Sequence, residues 1–179
     1  MYLTWKEKRI NVPVNELKAD LFAALMLQKQ GGKVNYTKMA KLLYFADRYH
    51  LRRYMRPIAM DDYYALPKGM IGSFWLNILR GIRSSEFFKT VNYDVVIVKS
   101  TSDDQVKTLS ESELEAMNFA LTEFSKYDEN QLIDINHQYP EWKQHEERFR
   151  ERGGRMEVQI PDLFEDPKEN AVFKRLGFK

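Results

Sequence analysis

The stretch Tyr36–Arg53, YTKMAKLLYFADRYHLRR, decides the fold that the sequence predicts. One face of this stretch, at helical steps of three and four, is formed by Met39, Leu42, Leu43, Ala46 and His50. Tyr44 and Phe45 fall on other faces, so the helix is apolar on several sides. Such a helix packs against several neighbours at once, and Pro57 forces its end. We therefore expect a central helix surrounded by the rest of the chain.

Helices are also predicted on both sides of this central one. Asn15 can cap a helix that stops at Gly31-Gly32, and a third helix is expected over 73–83. Ser110 followed by Glu113 forms a capping box that opens another helix. The last helices are expected over 129–138 and from Pro140, with the charged run 143–152 facing outward.

Strand-like sequence lies between these two groups of helices. Residues 93–98 are rich in β-branched side chains, and 106–109 can return as a second strand after a polar turn. Residues 58–71 are expected to be irregular. The prediction is a mainly α (α+β) fold, a single compact helical domain with a small β-hairpin inserted between the N-terminal and C-terminal helices.

The bulk composition restricts the class of protein. A chain of 179 residues suits one domain, which we place at 1–152, with a C-terminal appendage at 153–179 after Gly153-Gly154. The formal net charge is +2, so nucleic acid is not expected as the main partner. No cysteine is present, which excludes disulfides and thiol nucleophiles. Residues 1–13 do not read as a signal peptide, and no apolar run approaches the ~20 residues of a membrane span. We expect a soluble cytoplasmic protein.

The central stretch also resembles a known family. The run Lys41–Arg48 continues as His50-Leu51, Arg53-Tyr54 and Arg56-Pro57-Ile58, and it resembles the signature of the Panacea antitoxin domain, the SocA-like, phage-associated family that includes GepA-like proteins. Later segments over 62–69, 109–113 and 137–142 follow the family order, so the resemblance covers about 17–148. The residues that carry it are Lys41, Leu42, Tyr44, Phe45, Asp47, His50, Pro57, Gly69, His137 and Trp142. The chain departs from the family pattern at Met55, where glycine is common, and at Met70, where proline is common.

The resemblance implies a function in protein binding. Members of the family look like the neutralising half of toxin–antitoxin pairs, so the implied partner is a cognate toxin, expected from an adjacent gene. A SocA-like member would instead be an adaptor that delivers its toxin to a protease. A third hypothesis is a nucleic-acid-binding regulator. None of these requires catalysis, a cofactor or a metal, and the sequence leaves the oligomeric state open.

Candidate catalytic and metal-binding groups have simpler interpretations. His50 is expected to be a hydrogen-bonded core residue, because no nucleophile motif accompanies it. The acidic pairs Asp61-Asp62 and Asp103-Asp104 are expected in turns or as solvated groups. His137 and His145 do not have the spacing of a helical ligand pair, even with Glu146 and Glu147 beside the second histidine, so no metal site is predicted.

The densest basic cluster lies at the end of the central helix, where tyrosines interleave with arginines. Arginine next to tyrosine is typical of protein hot spots and of RNA contacts, but it is also compatible with a solvated face paired to acids such as Asp47 and Asp61. Trp75 is either a core residue or an aromatic anchor. The candidate partner-binding residues are Arg48, Arg52, Arg53, Tyr54, Arg56 and Trp75.

Overall fold

The computed structural model describes 2–5, 8–11, 13–158 and Leu163. Its strands and helices, in chain order, are β1 (Tyr2–Trp5), β2 (Lys8–Asn11), α1 (Glu16–Lys29), β3 (Lys33–Asn35), α2 (Tyr36–Tyr54), β4 (Tyr63–Leu66), β5 (Gly69–Gly72), α3 (Ser73–Leu79), β6 (Phe88–Val91), β7 (Asp94–Ile97), α4 (Asp103–Val106), α5 (Glu111–Phe124), α6 (Glu129–His137), α7 (Pro140–Lys143), α8 (Glu146–Arg152) and β8 (Met156–Val158). The mainly α, α+β class is confirmed.

Helix α2 is the centre of the fold, as its apolar faces predict. Thirteen of its nineteen residues are buried, and α1, α3, α5 and α6 all pack against it. Asn35 caps its start by accepting hydrogen bonds from the amides of Thr37 and Lys38. The helix ends at Met55, whose φ of 57° is the left-handed conformation that glycine adopts without strain. The family that the chain resembles commonly has glycine at this position, and the left-handed conformation gives a physical reason for that glycine.

Local signals in the sequence place most of the other helices. Asn15 caps α1 through the amide of Lys18, and Ser110 and Glu113 form the predicted capping box of α5. Pro140 occupies the first turn of α7. Helix α3 ends at Leu79, four residues before the predicted end at Arg83.

The predicted hairpin is present, but with a different partner strand. β7 pairs antiparallel with β6, which precedes it, and the tight turn between them has positive φ at Asn92 and Tyr93. The expected return strand at 106–109 is wrong. Ser102 and Gln105 form a capping box there, which starts the short helix α4 instead. β3 adds to the free edge of β7 and completes a three-stranded sheet.

A second sheet occupies the region that was predicted to be irregular, so that prediction is wrong. β4 pairs antiparallel with β5 through a two-residue turn at Pro67-Lys68, and Gly69 follows with a φ of 100°. β8 covers the other edge of β4, with Val158 opposite Tyr63. Three residues beyond the predicted boundary at 152 are therefore integrated into the sheet, while the two-part division itself stays a prediction.

In the part of the chain that the structure describes, every helix is too short or too polar to cross a membrane. The two strands β1 and β2 pair antiparallel with each other.

Candidate functional site

Arg48, a charged residue of the central helix, belongs to a buried network and not to a surface. Arg48 is 3% exposed, and its Nε donates to Glu141 Oε1 at 2.5 Å. The Tyr44 hydroxyl donates to the same carboxylate oxygen at 2.5 Å, and the Arg48 guanidinium lies over the ring of Tyr139 at 4.1 Å. This network joins α2 to α7 inside the protein. Arg48 is not accessible to a partner in this fold, so its place among the candidate partner-binding residues is not supported.

Trp75 is also an interior residue. Its side chain is 1% exposed, it packs against Phe22, and its indole Nε1 donates to the carbonyl of Ala19 at 2.9 Å. A buried indole with its N–H satisfied has a structural role. The core interpretation is therefore confirmed, and the anchor hypothesis for Trp75 is wrong.

His50 is buried and hydrogen-bonded on both ring nitrogens, as expected. Nδ1 lies 2.8 Å from the carbonyl oxygen of Arg56, and Nε2 lies 3.0 Å from the Ser112 hydroxyl. Burial lowers the pKa of His50, which favours the neutral ring. The ring therefore ties the end of α2 to the start of α5.

Two aspartates hold the loop that follows α2. Asp47 accepts hydrogen bonds from the amide of Ile58 at 2.6 Å and from the Tyr63 hydroxyl, while Asp61 accepts from the amide of Phe74 at 2.7 Å. Burial raises the pKa of Asp47 to about 6 and that of Asp61 to about 7. Both carboxyls satisfy backbone donors, so the structural interpretation of Asp61 is confirmed. The ion pairs that were expected between the basic cluster and Asp47 or Asp61 do not form among the described residues.

The carboxylates that pair with Arg53 and Arg56 of the basic cluster come from α5. Arg56 Nη1 lies 3.1 Å from Glu113 Oε1, and Arg53 Nε lies 3.1 Å from Glu115 Oε1. The Tyr54 hydroxyl also donates to Glu115. The positive charge at this end of α2 is therefore partly balanced by α5.

The surface at this end of α2 nevertheless combines exposed apolar and basic groups. Arg53 and Arg56 keep 48% and 37% of their side chains exposed, and between them Met55 is 74% exposed. Arg52 reaches past them to donate to the carbonyl of Leu163 at 2.6 Å. We call residues 52–56 the basic strip. The sequence predicted its arginines but missed Met55, which lies at the C-cap of α2.

His137 and Trp142 pack against each other, as their proximity in the sequence suggested. The two rings stack with centroids 3.5 Å apart, and Trp142 Nε1 donates to the carbonyl of Leu66 at 2.8 Å. Burial lowers the pKa of His137. Over 13–158, no three His, Asp or Glu side chains come together in a way that could hold a metal ion.

A cavity that the sequence did not predict lies beside the N-terminal half of α2. It has a volume of about 420 Å³, and the buried residue Lys41 lines it. Sequence analysis identified Lys41 only as a motif residue. A lysine between Ala40 and Leu42 on a helix that is apolar on several sides was nevertheless a signal that a cation could be buried there.

The comparisons with known proteins gave one result. A family model described as "Antitoxin SocA-like, Panacea domain" matches residues 39–143, more than half of the 179 residues. No curated protein and no solved structure matches the chain significantly. The matched region runs from α2 to α7, and it contains the buried Arg48–Glu141 network.

Proposed function

Because the chain belongs to the SocA-like Panacea-domain family of antitoxins, we propose that it is an antitoxin that neutralises a cognate toxin by direct protein–protein binding. The match over 39–143 is the observation that supports this proposal most strongly. The described part of the chain adds a second one. Arg48, Asp47 and His50 in the interior of the central helix are engaged in structural hydrogen bonds and an ion pair, so these motif residues hold the fold together.

The signature residues of the family act mainly as scaffold under this proposal. Lys41, Tyr44, Asp47 and His50 are all buried, as is Trp142. A toxin cannot contact side chains in the interior, so recognition would use residues around the scaffold. One framework could then present different surfaces to different toxins.

The basic strip is the surface that we propose for toxin contact. It offers arginine and tyrosine side chains beside an exposed methionine, a composition that is enriched in protein interfaces. Its charges are partly balanced by Glu113 and Glu115, which favours a protein partner over a polyanion such as nucleic acid. An interface of about 1,200–2,000 Å² would suffice for specific binding.

The test is expression of the neighbouring reading frame with and without this chain. We expect the neighbour to arrest growth when it is expressed alone and growth to resume when this chain is coexpressed. Toxicity that is equal in both cases would contradict the proposal. Measuring the level of the neighbour separates two mechanisms: direct neutralisation leaves it unchanged, whereas a proteolytic adaptor lowers it only in cells that contain the protease.

A further inference from the structure

The cavity beside α2 has apolar walls contributed by several elements. Ala40 of α2, Leu66 of β4, Ile71 of β5 and Leu76 of α3 all line it. Its volume of about 420 Å³ falls in the range of pockets that hold small organic molecules or single side chains. The walls therefore suit a ligand with an apolar body.

The charged groups that line this cavity are all positive. Lys41, Lys68 and Arg80 are the three cations, and the described lining contains no aspartate or glutamate. Lys68 and Arg80 are exposed, whereas Lys41 is 3% exposed. The arrangement places two cations in contact with solvent and a third in the interior, so the cavity favours an anion.

Lys41 is poorly satisfied for a buried ammonium. Within the described residues its Nζ donates one hydrogen bond, to the carbonyl of Met70 at 3.1 Å. An ammonium carries three donors, so two of them lack a protein acceptor there. Burial lowers the pKa of Lys41 to about 7. A buried cation without a counter-charge is costly, so an anion in the cavity would stabilise its charged form.

A second unsatisfied donor lies next to Lys41. Asn136 is fully buried, and its Oδ1 accepts from the amide of Met70 at 2.6 Å, which fixes the orientation of the side-chain amide. Its Nδ2 has no hydrogen-bond partner among the described residues. Buried polar atoms are rarely left in this state unless a ligand or water satisfies them.

Gly69 makes room for the side chains of Asn136 and Lys41. A Cβ at Gly69 would collide with Asn136 Oδ1 and would lie 2.7 Å from Lys41 Nζ. The φ of 100° at Gly69 also disfavours any other residue. The backbone at the start of β5 therefore packs directly against Asn136 Oδ1 and Lys41 Nζ, which holds the buried ammonium in place.

We propose that this cavity binds a carboxylate, with Lys41 as the ion-pair partner inside and Arg80 near the opening. Lys41 is the buried cation of the lining, whereas solvent screens the exposed Lys68 and Arg80, so the singly charged carboxylate matches the interior charge better than a doubly charged phosphate ester. The apolar walls would hold the organic body to which the carboxylate is attached. This site lies on the N-terminal half of α2, away from the basic strip, and does not depend on the proposed antitoxin function.

The carboxylate can belong to a free small acid or to an acidic side chain of a peptide. A shallower depression shares Tyr36 and Arg80 with the cavity and continues to Asn92 and Tyr93, which is 80% exposed. A peptide could lie along this groove while its acidic side chain enters the cavity.

The test is a titration of the ¹⁵N-labelled full chain with benzoate, followed by the amide shifts of Gly69 and its neighbours. Benzamide, which has the same shape without the charge, is the ligand control. The variants are Lys41→Met, which removes the buried cation, Arg80→Gln, and Lys89→Met as the matched exposed control. A parallel titration uses the peptides acetyl-Ala-Glu-Ala-amide and acetyl-Ala-Gln-Ala-amide to distinguish the two sources of the carboxylate.

We expect saturable binding of benzoate or of the Glu peptide, at least tenfold weaker in Lys41→Met and unchanged in Lys89→Met. Arg80 is exposed, so Arg80→Gln keeps the test valid even if Lys41→Met fails to fold, and it should weaken binding at least threefold. Equal binding of benzoate and benzamide would overturn the proposal. So would wild-type binding by both folded variants, or binding of neither carboxylate by the folded wild-type chain.

Discussion

Arg48 and Glu141 show how a charged motif can serve the interior. The two side chains are 3% and 1% exposed and form an ion pair. Glu141 also accepts a hydrogen bond from the Tyr44 hydroxyl. Removing one partner from such a pair leaves the other charge buried without compensation, which costs about 3–5 kcal/mol. We therefore expect Glu141→Gln to lower the free energy of unfolding by about that amount, measured by urea denaturation.

The matched control for this change is Glu147→Gln, because Glu147 is exposed on α8. A surface substitution of this kind should change stability by about 0.5 kcal/mol or less. If Glu141→Gln and Glu147→Gln have the same small effect, the Arg48 network is not a main contributor to stability.

Asp47 gives a prediction about pH. Burial raises its pKa to about 6, above the ordinary value of an aspartate, so the folded state binds this proton more tightly than the unfolded state. The contribution of Asp47 to stability is therefore fully present below about pH 4 and is lost as the pH rises through about 6. We expect Asp47→Asn to remove this part of the decline, measured as urea midpoints from pH 4 to pH 7.

The control for the pH series is Asp104→Asn, since Asp104 is exposed on α4. It should reproduce the wild-type profile. An unchanged decline in Asp47→Asn would show that Asp47 does not titrate in this window.

Sequence reasoning at the scale of residues succeeded for His50 and failed for Arg48. A histidine on an apolar helix face is commonly a core residue. Its two hydrogen bonds need only a backbone carbonyl and a hydroxyl, which most folds can supply. An arginine is exposed by default. Its burial depends on Glu141, which is 93 positions away in sequence, and no local pattern predicts that meeting.

At the scale of elements, the caps of the helices differ in their energetic weight. Ser110 and Ser102 form the same capping box, but α5 packs against the central helix, whereas α4 has no buried residue. We expect Ser110→Ala to cost about 1 kcal/mol, because the loss of the cap destabilises an element on which the core depends. Ser102→Ala should cost about half of this or less, because α4 can fray alone. Equal costs in urea denaturation would contradict this difference.

The helices were largely predictable because caps, breakers and periodicity are local. Apart from β7, which lies within the predicted 93–98, most of the strands were not, since β3 pairs with β7 and β4 pairs with β8 across long stretches of sequence. β4 and β5 were also hidden by Pro67 and Gly69, which mark a loop in the sequence but form a hairpin turn in the structure. The cavity is a product of these strands, so it could not be predicted either.

At the scale of the whole molecule, the two ends of α2 differ. The end that begins with Tyr36 borders the cavity, and the other end carries the basic strip. The buried middle of the helix connects them and carries the family signature. Under the proposals made above, the middle of the helix mainly maintains the fold, while its two ends recognise a ligand or a partner.

Met55 provides the sharpest test of the basic strip. It is 74% exposed with a left-handed backbone, a conformation that aspartate tolerates better than methionine. Met55→Asp should therefore keep the fold and weaken neutralisation at least tenfold, measured as the amount of antitoxin needed to restore growth. Ile82→Asp, at a position that is 69% exposed outside the strip, is the matched control and should neutralise normally. Equal neutralisation by both variants would place the toxin contact elsewhere.

The most direct measurement of the central claim is calorimetric titration of the purified chain with an inactive form of the neighbouring gene product. The account predicts saturable binding with a Kd of about 1 µM or tighter, without any added nucleic acid or protease. The absence of binding at about 100 µM, with both proteins folded, would contradict it.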